Sequence, residues 1–287
     1  MKYLQFTFIP TPRSQTATDL LCAVLADAGF ESFQEQEDGL LDAYIPANTY
    51  DETALRAALD AFPLPDTRLS YTWQEAEDRD WNEEWERNFF QPIVIAGRCV
   101  VHSTFHRDVP TAEYDIVINP RMAFGTGHHE TTGLVMAELL DMDLAGRRVL
   151  DMGCGTSILA ILARMRGAAE ADAVDIDEWC VNNSLENIAL NGVDHIRVRQ
   201  GDAGVLAEMG PYDVVLANIN RNILLSDMRH YVARMAPGAT LLMSGFYEED
   251  VPLIRAEAER LGLTFVHQRS DRRWTLVRVA KPNLTII

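Results

Sequence analysis

Cysteine is scarce in this chain: Cys22, Cys99, Cys154 and Cys180 are the only four, widely scattered and without a C-x-x-C pair. That spacing points to neither a disulfide framework nor a zinc site. Long apolar runs are also missing. No uncharged stretch approaches the ~20 residues a membrane span requires, and the opening MKYLQFTFIPTPRS has no apolar signal core. A soluble, cytoplasmic protein with no membrane partner is therefore expected. Basic side chains are few, 25 Lys and Arg against 43 Asp and Glu, which leaves a net charge of −18. Such a surface repels phosphate backbones at long range, so direct nucleic-acid binding is not expected and a basic protein is the better-matched partner. Solubility alone also accounts for charge of this sign. A chain of 287 residues, 47% of them hydrophobic, suffices for two domains with cores of their own.

What the chain does have is concentrated between residues 146 and 183. Val149 and Leu150 end an apolar run that reads as a buried strand. Asp151-Met152-Gly153-Cys154-Gly155-Thr156-Ser157 follows, and an apolar helical run covers 158–163. Gly153 and Gly155 remove two β-carbons where the backbone turns or lets a ligand approach, and the helix behind them starts with unpaired N–H groups. A second strand over 173–176 contains Asp175 and leads into Asp177. A carboxylate about 20 residues beyond a glycine turn is where nucleotide-binding αβ units hold ribose hydroxyls. The third glycine of a dinucleotide fingerprint is absent, since Ile158 stands in its place. Asp151 is poorly suited to a pyrophosphate but suits a cationic sulfonium ligand that carries an amino group. S-adenosylmethionine fits these residues better than NAD does.

The N-terminal region reads β-α-β-β-α-β, the order of a ferredoxin-like sandwich. Residues 3–9 alternate, with Tyr3, Gln5, Thr7 and Ile9 opposite Leu4, Phe6 and Phe8. Residues 16–28 place Ala17, Leu21 and Leu25 on one helical face before Gly29. Asp38-Gly39 sits between strands 31–36 and 40–45 as a tight-turn signal. A helix over 52–61 and a strand over 68–73 complete the unit. Through residue 66 it carries 3 basic and 11 acidic side chains. With no nucleophile, metal cluster or glycine loop, it is assigned to recognition; the acidity suits either a basic protein substrate or a solvated face.

Trp81, Trp85 and Phe89 recur at helical spacing in a charged stretch, which predicts a connecting helix over 75–92 with an aromatic stripe packed on a neighbour. Three short strands are expected over 93–95, 98–102 and 114–118. Then comes Asn119-Pro120-Arg121-Met122-Ala123-Phe124-Gly125-Thr126-Gly127-His128-His129-Glu130-Thr131-Thr132, ahead of an apolar helix over 134–140. Such a loop is suited to lie over a bound cofactor, with Phe124 excluding water and the Thr132 hydroxyl near the helix start. His128-His129-Glu130 lacks the H-x-x-x-H spacing of a metal site, so none is assigned. Farther on, strands are expected over 196–199, 213–217 and 239–243, a helix over 181–190 and another over 251–261. Two last strands, 263–267 and 274–279, lie too close for a crossover helix and should pair antiparallel. The sum is a parallel sheet with a terminal antiparallel insertion.

With these residues in view the chain resembles the PrmA family, the bacterial enzymes that methylate protein eleven of the large ribosomal subunit. The resemblance runs from Asp78-Arg79-Asp80-Trp81 through Met122-Ala123-Phe124-Gly125-Thr126-Gly127-x-His129-x-Thr131-Thr132 to Ala217-Asn218-Ile219, and more weakly beyond. The Phe-Gly-Thr-Gly-x-His-x-Thr-Thr motif is specific, whereas the glycine turn alone marks only the class I methyltransferase superfamily. The resemblance implies a class I S-adenosylmethionine-dependent methyltransferase, a Rossmann-like seven-stranded sheet over 93–287, behind a ferredoxin-like substrate domain over 1–74 and a linker over 75–92. It implies cofactor contacts at Thr132, Gly153, Asp175 and Asn218, to which the residue chemistry above adds Phe124 and Gly155. Many relatives have glycine at Ser157, where serine adds a side chain and a possible helix cap, and Pro-Gly where Pro120-Arg121 stands.

The implied reaction is attack of an amine, on lysine side chains and an α-amine of the ribosomal protein, on the sulfonium methyl. A free lysine has a pKa of about 10.4, so the site must favour the neutral amine. The residues present no evident general base, so proximity and orientation by acceptors around Asn218 are expected to carry catalysis. Enzymes that methylate exocyclic base nitrogens usually show Asn/Asp-Pro-Pro-aromatic here, and this chain has Asn218-Ile219-Asn220-Arg221. Methylation of another protein or of a nucleic acid, and a non-catalytic cofactor-binding module, are the rival readings.

Overall fold

The computed structural model describes residues 3–36, 39–64, 66–75, 91–120 and 123–283. Asp38 of the expected turn, Arg121 and Met122 of the loop, and 76–90 of the expected linker, with Trp81, Trp85 and Phe89, lie outside the described residues. The chain divides into two compact units, Met1–Trp81 and Asn82–Ile287.

In the first unit, β1 (Tyr3–Thr11), α1 (Gln15–Asp27), β2 (Ser32–Glu35), β3 (Leu41–Pro46), α2 (Glu52–Asp60) and β4 (Arg68–Glu75) follow the expected order. The sheet runs β2-β3-β1-β4, antiparallel throughout, as a ferredoxin-like fold requires. Alternation in β1 puts Phe6 and Phe8 on the face that receives Leu21 and Leu25 of α1 and Leu55 of α2. Ser14 caps α1 through its hydroxyl, which accepts from Ala17 N–H at 3.2 Å, and Asp51 caps α2 by accepting from Thr53 N–H at 2.8 Å.

The second unit opens with β5 (Ile93–Ile95), β6 (Cys99–His102) and β7 (Tyr114–Val117), which form a small sheet of their own. The rest alternates: α3 (Glu130–Asp141), β8 (Arg148–Met152), α4 (Ile158–Met165), β9 (Glu170–Asp175), α5 (Glu178–Leu190), β10 (Ile196–Gln200), β11 (Tyr212–Asn218), α6 (Arg221–Arg234), β12 (Met235–Tyr247), α7 (Val251–Arg260), β13 (Thr264–Asp271) and β14 (Trp274–Ala280). These seven strands form one sheet ordered β10-β9-β8-β11-β12-β14-β13, parallel except where β14 inserts between β12 and β13. Its central strands are apolar on both faces because both are covered. Val214 and Leu216 of β11 pack with α3 and α4, whereas Val215 and Ala217 pack with α6 and α7. No helix among the described residues is long and apolar enough to cross a membrane.

The sequence reading has no helix over 221–234, and α6 is the main addition. Only Leu224, Met228 and Tyr231 of its fourteen residues are buried, a narrow stripe in a polar run. Its start is marked by Asn220, whose side-chain oxygen accepts from Ile223 N–H at 3.1 Å.

The fold also contains a buried ionic clamp. Glu138 of α3, 1% exposed, meets His267 Nε2 at 3.1 Å, Arg269 Nε at 3.0 Å and Arg278 Nη1 at 3.0 Å. The two arginines and the histidine come from β13 and β14, so the clamp fixes α3 to the C-terminal hairpin. Removing Glu138 takes the shared acceptor from all three cations, of which Arg269 keeps Asp141 at 3.0 Å. Because the cations keep some contact with water, Glu138→Ala should cost about 2–3 kcal/mol and lower the melting temperature by roughly 5–10 °C, measurable by calorimetry.

Candidate active site

The order of strands creates the crevice. From β8 the chain moves outward to β9 and β10, then returns to β11 on the other side of β8, so the helices after β8 and β11 diverge at the carboxyl ends of these two strands. Open αβ sheets bind ligands at such a switch point. Gly153 and Gly155 follow β8, Asp175 ends β9 and Asn218 ends β11.

The turn after β8 is tied on both sides. Gly153 N–H and Cys154 N–H donate to the carbonyl of Val174, at 2.8 and 3.1 Å. Gly155 N–H donates to Asp175 Oδ2 at 2.9 Å, while Asp175 Oδ1 accepts from Asp177 N–H at 3.0 Å. Asp175 is nine-tenths buried, and each carboxylate oxygen keeps a lone pair for a further donor. Asp177 does different work as the N-cap of α5, accepting from Trp179 N–H at 2.8 Å. The structure thus separates two neighbouring acids: one faces the turn, the other starts a helix.

Gly155 has φ +52°, and a β-carbon there would collide with the carbonyl oxygen of Phe124. That close approach is how the 123–129 loop docks. Thr156 N–H donates to Phe124 O at 3.0 Å and Thr156 Oγ1 donates to Gly125 O at 2.6 Å. The Phe124 ring itself is half exposed. Ser157 adopts φ +60°, the conformation glycine holds without strain. Its hydroxyl makes no cap to α4 and instead hydrogen-bonds the hydroxyl of Ser184 on α5. The side chain joins two helices and caps neither.

The other wall is built from α3 and β11. His129 caps α3, its Nδ1 accepting from Thr131 N–H at 3.3 Å and lying 2.8 Å from the Thr131 hydroxyl. Glu130 faces Arg272 at 3.4 Å. Among the described residues no group of three or more His, Cys, Asp or Glu is placed to hold a metal ion. Thr132, 1% exposed, accepts from Asn218 Nδ2 at 3.2 Å. The opposite atom of that amide, Asn218 Oδ1, is buried and has no partner among the described residues. Buried acceptors are rarely left unpaired, and one at a strand end in a crevice marks the place of an incoming donor.

Asp151 adds a second such atom. It is 1% exposed, its Oδ2 accepts from Ala160 N–H at 3.2 Å, and Oδ1 has no partner among the described residues. Burial, reinforced by the charge of Asp175, pushes its carboxyl up to about 8. A bound cation would offset that desolvation and favour the carboxylate. A carboxyl whose pKa is higher in the folded than in the unfolded chain stabilises the fold most at low pH, and that contribution is lost as pH rises from the unfolded value, about 4, to about 8. Replacing Asp151 with asparagine should therefore flatten the fall in melting temperature between pH 5 and pH 8. A variant whose profile parallels that of the parent would exclude this titration.

One part of the site has no counterpart in the sequence reading. Asn183, Asn187 and Asn191 stand one turn apart on α5 and its end. Asn183 Nδ2 donates to Asn119 O at 2.7 Å, Asn187 Oδ1 accepts from Asn119 N–H at 2.9 Å, and Asn187 Nδ2 reaches Thr156 O at 3.3 Å. Asn191 exchanges two hydrogen bonds with the backbone of Val117. The ladder holds the entry of the loop and the glycine turn to one helix. Its signal was a polar stripe at i, i+4, i+8, which shows its purpose only once the partner backbone is in place.

Known proteins bear on this geometry. The sequence profile of the ribosomal protein L11 methyltransferase (PrmA) family matches residues 17–282. Ribosomal protein L11 methyltransferases of Bacteroides fragilis and Bacteroides thetaiotaomicron are 65% and 64% identical over 278 residues, 97% of this chain and 99% of each of theirs. That of Porphyromonas gingivalis is 52% identical over 283 residues, 97% of either chain. A crystal structure of ribosomal protein L11 methylase from Lactobacillus delbrueckii subsp. bulgaricus, 24% identical, shares the fold with a TM-score of 0.61 over 67% of this chain and 98% of that one.

Proposed function

The chain belongs to the ribosomal protein L11 methyltransferase (PrmA) family, and from that footing we propose that it transfers methyl groups from S-adenosylmethionine to lysine side chains and an α-amine of this ribosomal protein. The residues present fit the cofactor. Asp151 Oδ1 and Asn218 Oδ1 are buried and have no partner among the described residues, and the turn has no β-carbons at Gly153 and Gly155. Carboxyl groups at 151 and 175 suit a cation, and Asp175 has lone pairs left for the ribose hydroxyls. Thr132 and Asn218 would hold its methyl-donor end, and Phe124 would cover its loop side. When bound, the cofactor supplies an electrophilic methyl on a sulfonium whose departing thioether takes the C–S electron pair.

The chain's own contribution is placement. Asn218 has its amide nitrogen fixed to Thr132, so Oδ1 points in one direction, and it accepts an N–H of the neutral acceptor amine. That hydrogen bond turns the amine lone pair toward the methyl carbon, and the surplus proton passes to water. The unpaired Asn218 Oδ1 is the observation that carries this reading. A basic protein substrate also suits a chain of net charge −18, and a reaction on a ribosomal protein would take place in the cytoplasm. The test is incubation of the protein with labelled S-adenosylmethionine and ribosomal proteins, followed by mass analysis of the labelled product. Label at amines of the L11 protein supports the proposal; label in RNA, or none, refutes it.

A further inference from the structure

We infer that His129 is a positioning residue that sets both sides of this site at once, an inference that rests on the reading of Thr132 and Asn218 given above. Helix N-caps are filled best by Asn, Asp, Ser or Thr, whose short oxygens reach the first N–H groups. Here an imidazole does that task, with Nδ1 accepting from the Thr131 N–H and lying within hydrogen-bonding distance of the Thr131 hydroxyl. The next residue is Thr132, whose hydroxyl accepts from Asn218. The cap therefore fixes the first turn of α3 at the point where it meets the end of β11.

A serine would cap as well, but it would lack the ring. The His129 ring centroid lies 5.1 Å from that of Phe124 and 4.7 Å from that of Trp274, edge-on to the indole at 66°. Trp274 in turn lies 4.2 Å from Tyr247, over which Arg273 sits at 5.5 Å. The four rings form a continuous line from the loop that docks on Gly155 to the ends of β12 and β14. Ser244, three residues before Tyr247, pairs in register with Asn218 and accepts from Ile219 N–H at 3.1 Å. One side chain thus touches the cofactor-side loop at Phe124, caps the helix that presents Thr132, and packs on Trp274 at the start of β14.

Two substitutions separate the cap from the ring. His129→Phe keeps an aromatic ring and removes the acceptor; His129→Ser keeps an acceptor and removes the ring. Affinity for S-adenosylmethionine is read by calorimetry and turnover on the ribosomal protein by methyl transfer, with melting temperature alongside. Loss of the cap in His129→Phe is expected to weaken cofactor binding about tenfold. His129→Ser should bind the cofactor within about threefold of the parent yet turn over about tenfold more slowly, because Trp274 and Tyr247 lose the ring behind them. Parent-like cofactor binding in His129→Phe, or parent-like turnover in His129→Ser, overturns the inference. So do equal losses in both variants that track melting temperature, which would make His129 a packing residue only. Failure of the parent protein itself to bind S-adenosylmethionine would instead strike the reading of the site.

Discussion

Asn218→Ala should lower kcat by about a hundredfold or more while weakening cofactor affinity only a few-fold, because the lost oxygen acts on the orientation of the acceptor amine. Single-turnover methyl transfer and calorimetric titration of S-adenosylmethionine measure the two effects separately. The asymmetry follows from the amide's two ends. Nδ2 is engaged with Thr132 at 3.2 Å, and Oδ1 is buried with no partner among the described residues. Asn218→Asp sharpens the test. It retains an acceptor but places a negative charge beside the amine, which favours the ammonium form. Its rate should therefore be lower at neutral pH and recover at higher pH. Unchanged turnover in Asn218→Ala with normal cofactor affinity would remove Asn218 from the chemistry.

Asp175→Ala should weaken S-adenosylmethionine binding by at least about a hundredfold, or about 3 kcal/mol, through loss of charge-assisted hydrogen bonds to the ribose. The same carboxylate accepts from Gly155 N–H at 2.9 Å and from Asp177 N–H at 3.0 Å, so its removal also loosens the turn. Asp175→Asn keeps one oxygen but turns an amide NH2 toward one of those N–H donors, and its affinity should fall between the two. Calorimetry that finds no loss in Asp175→Ala would contradict the ribose role. Melting temperature, read without cofactor, isolates the share of the effect that belongs to the turn.

Much of the fold was legible because the sequence keeps strict periods. Phe6 and Phe8 alternate toward a helix face, and β11 carries the unbroken apolar run of a strand covered on both sides. The glycine turn, the acids at 175 and 177 and the asparagine at 218 could be placed at strand ends from spacing alone. What sequence could not supply was the partner of each polar side chain. Ser157 offered a cap and instead reaches Ser184; the asparagine stripe on α5 found its backbone partners 64 to 74 residues away in sequence. His129 reads in sequence only as part of His128-His129-Glu130, without metal spacing, and its ring contact with Trp274 depends on a hairpin more than a hundred residues downstream. Helix α6 was passed over for a local reason, since its three buried side chains are diluted by charged and polar neighbours.

The account stands on a crevice shaped to take a sulfonium nucleoside between β8, β9 and β11. A crystal structure with S-adenosylhomocysteine, the demethylated product, examines that directly. The ribose hydroxyls should lie within hydrogen-bonding distance of the Asp175 carboxylate, with the ligand against Gly153 and Gly155 and its sulfur toward Thr132 and Asn218. Ligand lodged elsewhere, or a crevice that stays empty at saturating concentration, would contradict it.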